Sequence, residues 1–170
     1  MANLIAYFSR KGQNYFSGQI RRVEKGNTEY VAEYIQQAVG GDLFETVPAK
    51  DYPADYYECT DVAKAELRAK ARPEVESYVE DMGRYDTVFV GYPNWWGTCP
   101  MCVFTFLERY DWAGKRVVPF CTNEGSGMGG SVKMIRQACK GATVEDGLAI
   151  VGGRAAACEP EAAAWAKRMA

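Results

Sequence analysis

"NLIAYFSRKGQNYFSGQIRRVEKGNTEYVAEYIQQAVGG", residues Asn3 to Gly41, decides the fold of this chain. Asn3 to Phe8 is a short apolar run of the kind that makes a fully buried strand. From Asn27 onward Val31, Ile35 and Val39, with Ala32 and Ala38, recur at helical spacing until Gly40-Gly41 stops them. Between strand and helix lie two small polar-glycine clusters, Ser9-Arg10-Lys11-Gly12 and Gly26-Asn27-Thr28-Glu29. They read either as two halves of one oxyanion-binding turn or as two unrelated loops.

The strand-then-helix alternation continues to the end of the chain. Asp42 to Val47 is a second strand, and a helix follows from about Ala54 to Lys70. Asp86 to Gly91 is a β-branched buried strand, followed by a helix over Met101 to Arg109. Arg116 to Cys121 is a strand with Pro119 inside it, an unusual place for a residue without an N–H. A helix over Ser131 to Cys139, a strand at Leu148 to Val151 and a helix over Pro160 to Arg168 complete the series. Five strands alternating with five helices predict one α/β domain over residues 1–170, a parallel sheet covered on both faces. Ligands of such sheets sit at the carboxyl ends of the strands, where the strand order reverses.

Composition narrows the function. A 170-residue chain with 48% hydrophobic and 25% charged residues can bury its own core. A net charge of −2 gives no overall field for nucleic acid or an anionic membrane. The start of the chain has no cationic leader, and no apolar run approaches the roughly 20 residues of a membrane span, so the expected location is cytoplasmic. The six cysteines are widely spread, so reduced thiols are expected rather than a disulfide scaffold. Histidine is absent, which removes His-based catalytic dyads, and no metal site is expected.

Three loops after predicted strands have unusual compositions. In the first, Asn27 or Thr28 can cap the helix, free amides there suit a phosphate, and Ser9 and Thr28 add hydroxyls. Neither GxxxxGK[ST] nor GxGxxG is present, which disfavours ATP and Rossmann-type dinucleotides. The second, Gly91 to Thr98, holds adjacent Trp95 and Trp96, and both cannot enter one core. At least one indole should lie at a surface or over a flat ligand. The third, Cys121 to Gly130, is glycine-rich, which lets backbone amides approach a polar ring edge.

Taken together, Phe8-Ser9-Arg10-Lys11-Gly12 with Gly26-Asn27-Thr28-Glu29, Gly91 to Met101, and Pro119 to Gly129 resemble a bacterial branch of the flavodoxin-like family. The resemblance covers nearly the whole chain. It implies a three-layer sandwich with a five-stranded parallel sheet in the order 2-1-3-4-5, and bound FMN as cofactor. On that resemblance Ser9, Asn27, Thr28 and Glu29 cradle the phosphate. Pro93, Asn94, Trp95, Trp96 and Gly97 line one side of the isoalloxazine, and Thr122, Asn123, Glu124, Gly125 and Ser126 meet its polar edge or other side. No catalytic residue is implied.

The implied function is that of a flavodoxin, low-potential electron transfer between redox partner proteins, a reductase and an acceptor. The alternative is an FMN-dependent NAD(P)H oxidoreductase of the quinone-reductase kind on the same fold. A flavodoxin-fold interaction domain that has lost FMN is the third. From Arg10 to Gly26 the two halves of the turn are separated by an insert with five basic residues and Glu24, a local net charge of +4. It reads as a solvated loop, as a cover over the phosphate, or as a docking surface for an anionic partner. Asn14 and Tyr15 would either fold back over the cofactor or face that partner. Cys99-Pro100-Met101-Cys102 is a CxxC at a helix start, which reads either as two cysteines that simply pack or as a dithiol whose lowered thiol pKa would permit redox exchange.

Overall fold

The computed structural model describes residues 2–170. Strand β1 (Ala2–Tyr7) runs into a two-stranded antiparallel hairpin, β2 (Gly12–Phe16) and β3 (Gln19–Val23), and then helix α1 (Asn27–Val39). Next come β4 (Asp42–Glu45), α2 (Tyr56–Ala69), β5 (Tyr85–Pro93), α3 (Met101–Leu107), β6 (Arg116–Asn123) and α4 (Ser131–Ala138). Two short strands, β7 (Thr143–Val144) and β8 (Leu148–Val151), precede α5 (Glu159–Met169). All pairings in the main sheet are parallel, in the order β4-β1-β5-β6, with β7 and β8 both against β6. That is the expected order 2-1-3-4-5, with the reversal between β1 and β5.

The sheet is buried on both faces because its central strands are apolar at consecutive positions. Ile5, Tyr7, Phe89, Val118, Phe120 and Ile150 pack on one face against Val31, Ala32 and Ile35 of α1 and Ala162, Trp165 and Ala166 of α5. Leu4, Ala6, Val88, Val90, Tyr92 and Val117 pack on the other against Val103, Phe104 and Leu107 of α3 and Ile135 of α4. The alternation of neighbours to opposite faces is the period of two that a strand imposes.

Two expectations are corrected. The fifth strand is not continuous: β7 pairs Arg116 and Val117, β8 pairs Phe120 to Asn123, and nothing pairs Val118 or Pro119 on that side. Pro119 supplies no N–H, and the interruption of the neighbouring strand falls beside it. The main sheet therefore has six strands rather than five. The Arg10–Gly26 insert is not a solvated loop but the β2–β3 hairpin, turned by Ser17 (φ 48°) and Gly18 (φ 92°). Two successive positive φ values make the tight turn whose twist suits paired strands. The signal was present as Ser-Gly between two short runs holding Tyr15, Phe16 and Ile20.

A Cβ on Gly91, near the carboxyl end of β5, would lie 2.1 Å from the Phe120 ring. Gly91→Ala should therefore destabilise the fold by about 1–3 kcal/mol through overpacking, read as a lower midpoint in urea unfolding. An unchanged midpoint would show that Phe120 moves aside freely.

Candidate functional site

The carboxyl ends of β1, β5 and β6 surround a cavity of about 300 Å³. It is lined by Asn27 and Thr28 from α1, by Pro93, Asn94 and Trp95, and by Thr122, Asn123, Glu124 and Ser126. Four further walls complete it: Asn14 and Tyr15, which take the first of their two expected places, and Arg10 and Tyr56 of α2, which were not among the expected residues.

At the α1 end, the residue before the helix is Gly26, and no side chain caps the helix. This corrects the expectation that Asn27 or Thr28 would cap; both stand inside the first turn. The amides of Asn27 and Thr28 meet no protein acceptor among the described residues, which leaves an electropositive helix start facing the cavity. The next amide, of Glu29, donates to Ser9 Oγ at 3.1 Å. Thr28 Oγ1 lies 2.8 Å from Thr122 Oγ1, joining the helix start to the loop after β6. Ser9 and Glu29 thus fasten the turn rather than line the cavity. Ser9 faces an adjoining space of about 390 Å³ together with Lys11 and Arg22.

The loops after β5 and β6 are fixed to each other. Asn94 Nδ2 donates to Gly127 O at 2.8 Å and Ser126 Oγ at 3.2 Å, while its Oδ1 accepts from Gly97 N at 2.8 Å. Gly130 N donates to Gly97 O at 2.7 Å. Asn123 Oδ1 accepts from Gly125 N at 2.8 Å, holding the mouth of the second loop in shape. Trp95 lies edge-on to Phe8 and Tyr52, with ring centroids 5.2 and 4.9 Å apart, so its indole is held by aromatic packing. Trp96 and Gly97 form a tight turn at φ 57° and 86°. That turn sends the Trp96 indole away from the main cavity, where it is 50% exposed and donates from Nε1 to Thr60 O at 2.9 Å.

The hairpin closes the remaining side. Gln13 Oε1 accepts from the Tyr56 amide at 2.8 Å, an outside cap on α2. The Tyr15 and Tyr56 rings stack at 5.8 Å. Arg10 donates to Gln13 O, Pro53 O and Ala54 O. At the hairpin tip the Ser17 amide donates to Glu124 Oε2 at 3.1 Å, reaching across to the loop after β6. Asn14 and Tyr15 therefore fold back over the cavity. The signal for Arg10 and Tyr56 was absent from the sequence because both reach the site only through the hairpin's docking on α2. Burial, with Glu124 nearby, raises the Tyr56 phenol further, so this wall stays neutral.

Of the two readings of the CxxC, the structure fits packing. Cys99 and Cys102 are both free and buried. Burial raises the Cys99 thiol well above its ordinary value and pushes Cys102 up to about 12, outweighing any effect of the helix start. No group of metal-ligating side chains occurs among the described residues.

The flavodoxin family model matches residues 3–169. The chain belongs to the flavodoxin family. A protein from Bacteroides eggerthii designated a flavoprotein is 31% identical over 98% of this chain and 96% of its own, with a TM-score of 0.76. A Lactobacillus acidophilus flavoprotein solved in complex with FMN is 24% identical, over 90% of this chain and 95% of its own, with a TM-score of 0.65. An NADH:FMN oxidoreductase, solved in its apo form, shares the fold at 14% identity and a TM-score of 0.56, over 99% of this chain and 90% of its own. No curated protein matches the sequence significantly. No described helix is long and apolar enough to cross a membrane.

At pH 7 all six thiols of the native protein should resist a water-soluble thiol reagent, and all six should react in denaturant. Rapid native labelling of Cys99 or Cys102 would restore the redox-pair reading.

Proposed function

We propose that this flavodoxin-family chain binds FMN and carries electrons between a reductase and an acceptor protein. The observation that supports this best is the single cavity joining the uncapped start of α1 to Trp95 and to the loop after β6. Its donor set fits the cofactor. The open amides of Asn27 and Thr28, with the Thr28 hydroxyl, suit a phosphate dianion. A Cβ on Gly152 would sit 2.6 Å from Asn27 Nδ2 and 2.8 Å from Glu124 Oε1, so only glycine lets these polar groups close in there. The Lactobacillus acidophilus relative was solved with FMN, which favours the same ligand here.

Bound FMN would supply reversible electron transfer, and the chain's residues would supply position and exclude water. Asn27 and Thr28 would hold the phosphate while Ser9 keeps their turn closed. Trp95, Tyr15 and Tyr56 would shield the ring system, and Asn94 with Thr122 to Ser126 would meet its polar edge. A phosphate at Thr28 explains why a hydroxyl pair, Thr28 and Thr122, is kept buried at that end.

One observation favours the second reading, an NAD(P)H oxidoreductase. Arg21 and Arg22 stand exposed on β3, Arg22 at the space that adjoins the main cavity, and the chain as a whole is nearly neutral at −2. Such a cationic edge suits an anionic nucleotide as well as an acidic protein.

Absorption spectroscopy separates these readings. The purified protein, with FMN added, should show a bound-flavin spectrum, and NADPH alone should bleach it only slowly. Rapid stoichiometric bleaching would select the oxidoreductase, and failure to take up FMN would refute both. Thr28→Val should weaken FMN binding about tenfold, the loss of one charge-assisted hydrogen bond, in a fluorescence titration. The pair Arg21→Gln and Arg22→Gln should leave FMN affinity within about twofold while slowing reduction by the partner.

A further inference from the structure

The adjoining cavity of about 390 Å³ lies between the base of the hairpin and the chain that leaves β4. Of its fourteen lining residues only Arg10 also lines the cofactor cavity. Its two sides are fixed to each other before any ligand enters. The Thr46 amide donates to Tyr7 O at 2.7 Å, which ties the end of β4 to the end of β1. From the hairpin side, Arg10 Nη2 donates to Pro53 O at 3.0 Å and Ala54 O at 3.1 Å.

The walls define the chemistry of an occupant. Arg10, Lys11 and Arg22 bring three positive charges, and none of them joins an ion pair among the described residues. Glu45 and Asp51 bring two negative ones, so the space carries +1 and suits a monoanion better than a phosphate dianion. Two hydroxyls add neutral donors. Ser9 Oγ accepts from the Glu29 amide, which leaves its own O–H free to donate. Thr46 is only 3% exposed, and its hydroxyl has no hydrogen-bond partner among the described residues. The fully sealed side-chain oxygen without a partner there is Thr98 Oγ1, so the Thr46 oxygen keeps its opening on the cavity that Thr46 lines. A nearly buried hydroxyl without a partner is costly to keep, and a ligand oxygen would satisfy it. Phe8, Val47, Pro48, Tyr52 and Pro53 make the remaining walls apolar, with the Phe8 and Tyr52 rings edge-on at 6.1 Å.

We infer that this cavity is a second small-molecule site, separate from the cofactor's, for a compact apolar monocarboxylate, an aromatic or branched aliphatic acid. The carboxylate accepts from Lys11, Arg22 and the Thr46 hydroxyl, and the apolar body lies among Phe8, Val47 and Pro48. The volume stands at the lower end of the roughly 300–1,000 Å³ of ligand pockets, which is room for a single ring. The site goes beyond the electron-transfer reading and does not rest on it, since the acid needs no contact with the cofactor.

Isothermal titration calorimetry with sodium benzoate tests it at constant ionic strength, on the FMN-saturated protein and on the chain without added FMN. Saturable one-to-one binding in both is the expected result, and benzyl alcohol, which lacks the charge, should give no measurable binding. Lys11→Gln and, separately, Thr46→Val should each weaken benzoate at least about tenfold, the loss of one charge-assisted hydrogen bond, while changing FMN affinity less than about threefold. Thr46→Val exchanges an unpartnered hydroxyl for a methyl of the same shape, so its midpoint in urea should not fall and misfolding is excluded as the cause. Absent or non-saturable benzoate binding would overturn the proposal. So would binding that ignores both substitutions, which would place the acid elsewhere. Benzoate binding abolished by FMN would show that the cavity is only an extension of the cofactor's own site. Inorganic phosphate held more tightly than benzoate through the same residues would overturn the carboxylate assignment. Failure to bind FMN at all, with benzoate binding intact, would refute the cofactor reading and leave the second site standing.

Discussion

The architecture of the site depends on one close approach. A Cβ on Gly26 would lie 2.2 Å from Ser9 Oγ and 2.5 Å from the Arg10 carbonyl, so the chain that leaves at Ser9 returns touching itself. Only a residue without a side chain permits that contact. Because the ends meet, a whole hairpin can be inserted without moving the first turn of α1 from the end of β1. The Ser9–Glu29 hydrogen bond then fastens the joint. The two polar-glycine clusters are one turn, and the hairpin is a flap hung from it.

That arrangement changes what the flap can do. With its base fixed, its free end can be held only by contacts elsewhere, and three sets exist: Gln13 and Arg10 on the start of α2, Tyr15 on Tyr56, and Ser17 on Glu124. Every one lies on a rim of the main cavity. The opposite rim is rigid for a different reason, since Asn94 Nδ2 ties the loop after β5 to the loop after β6 while its Oδ1 accepts from Gly97 N and holds its own loop in shape. A cavity with one locked wall and one docked wall is largely formed before any ligand arrives, which lowers the ordering cost of binding.

The fold was legible in the sequence because its signals are local. The apolar run at Leu4 to Phe8, the helical spacing from Val31 to Val39 and the glycine stop each depend on a few neighbouring residues. Nine of the expected site residues line one cavity for the same reason: seven stand at or just after the ends of β5 and β6, and Asn27 and Thr28 open a helix whose spacing is plain in the sequence. What escaped was non-local or overridden. Arg10 and Tyr56 meet only because the hairpin docks on α2, a contact between residues more than forty positions apart. Trp96 follows its neighbour in sequence, yet the left-handed turn sends it to a separate space. Cys99 and Cys102 carried a familiar spacing, but burial decided their chemistry against it. Pro119 was read as a weakness of its own strand, whereas the break appears in the strand beside it.

The central claim is that the fastened turn at Ser9, Gly26 and the start of α1 holds a phosphate while the aromatic walls hold a ring. Parallel fluorescence titrations of the apo protein with FMN and with riboflavin, which differ only in the phosphate, test it most directly. The account predicts FMN binding tighter by about a hundredfold or more, roughly 2.7 kcal/mol, with the difference shrinking as salt is raised. Equal affinities for the two flavins would contradict it.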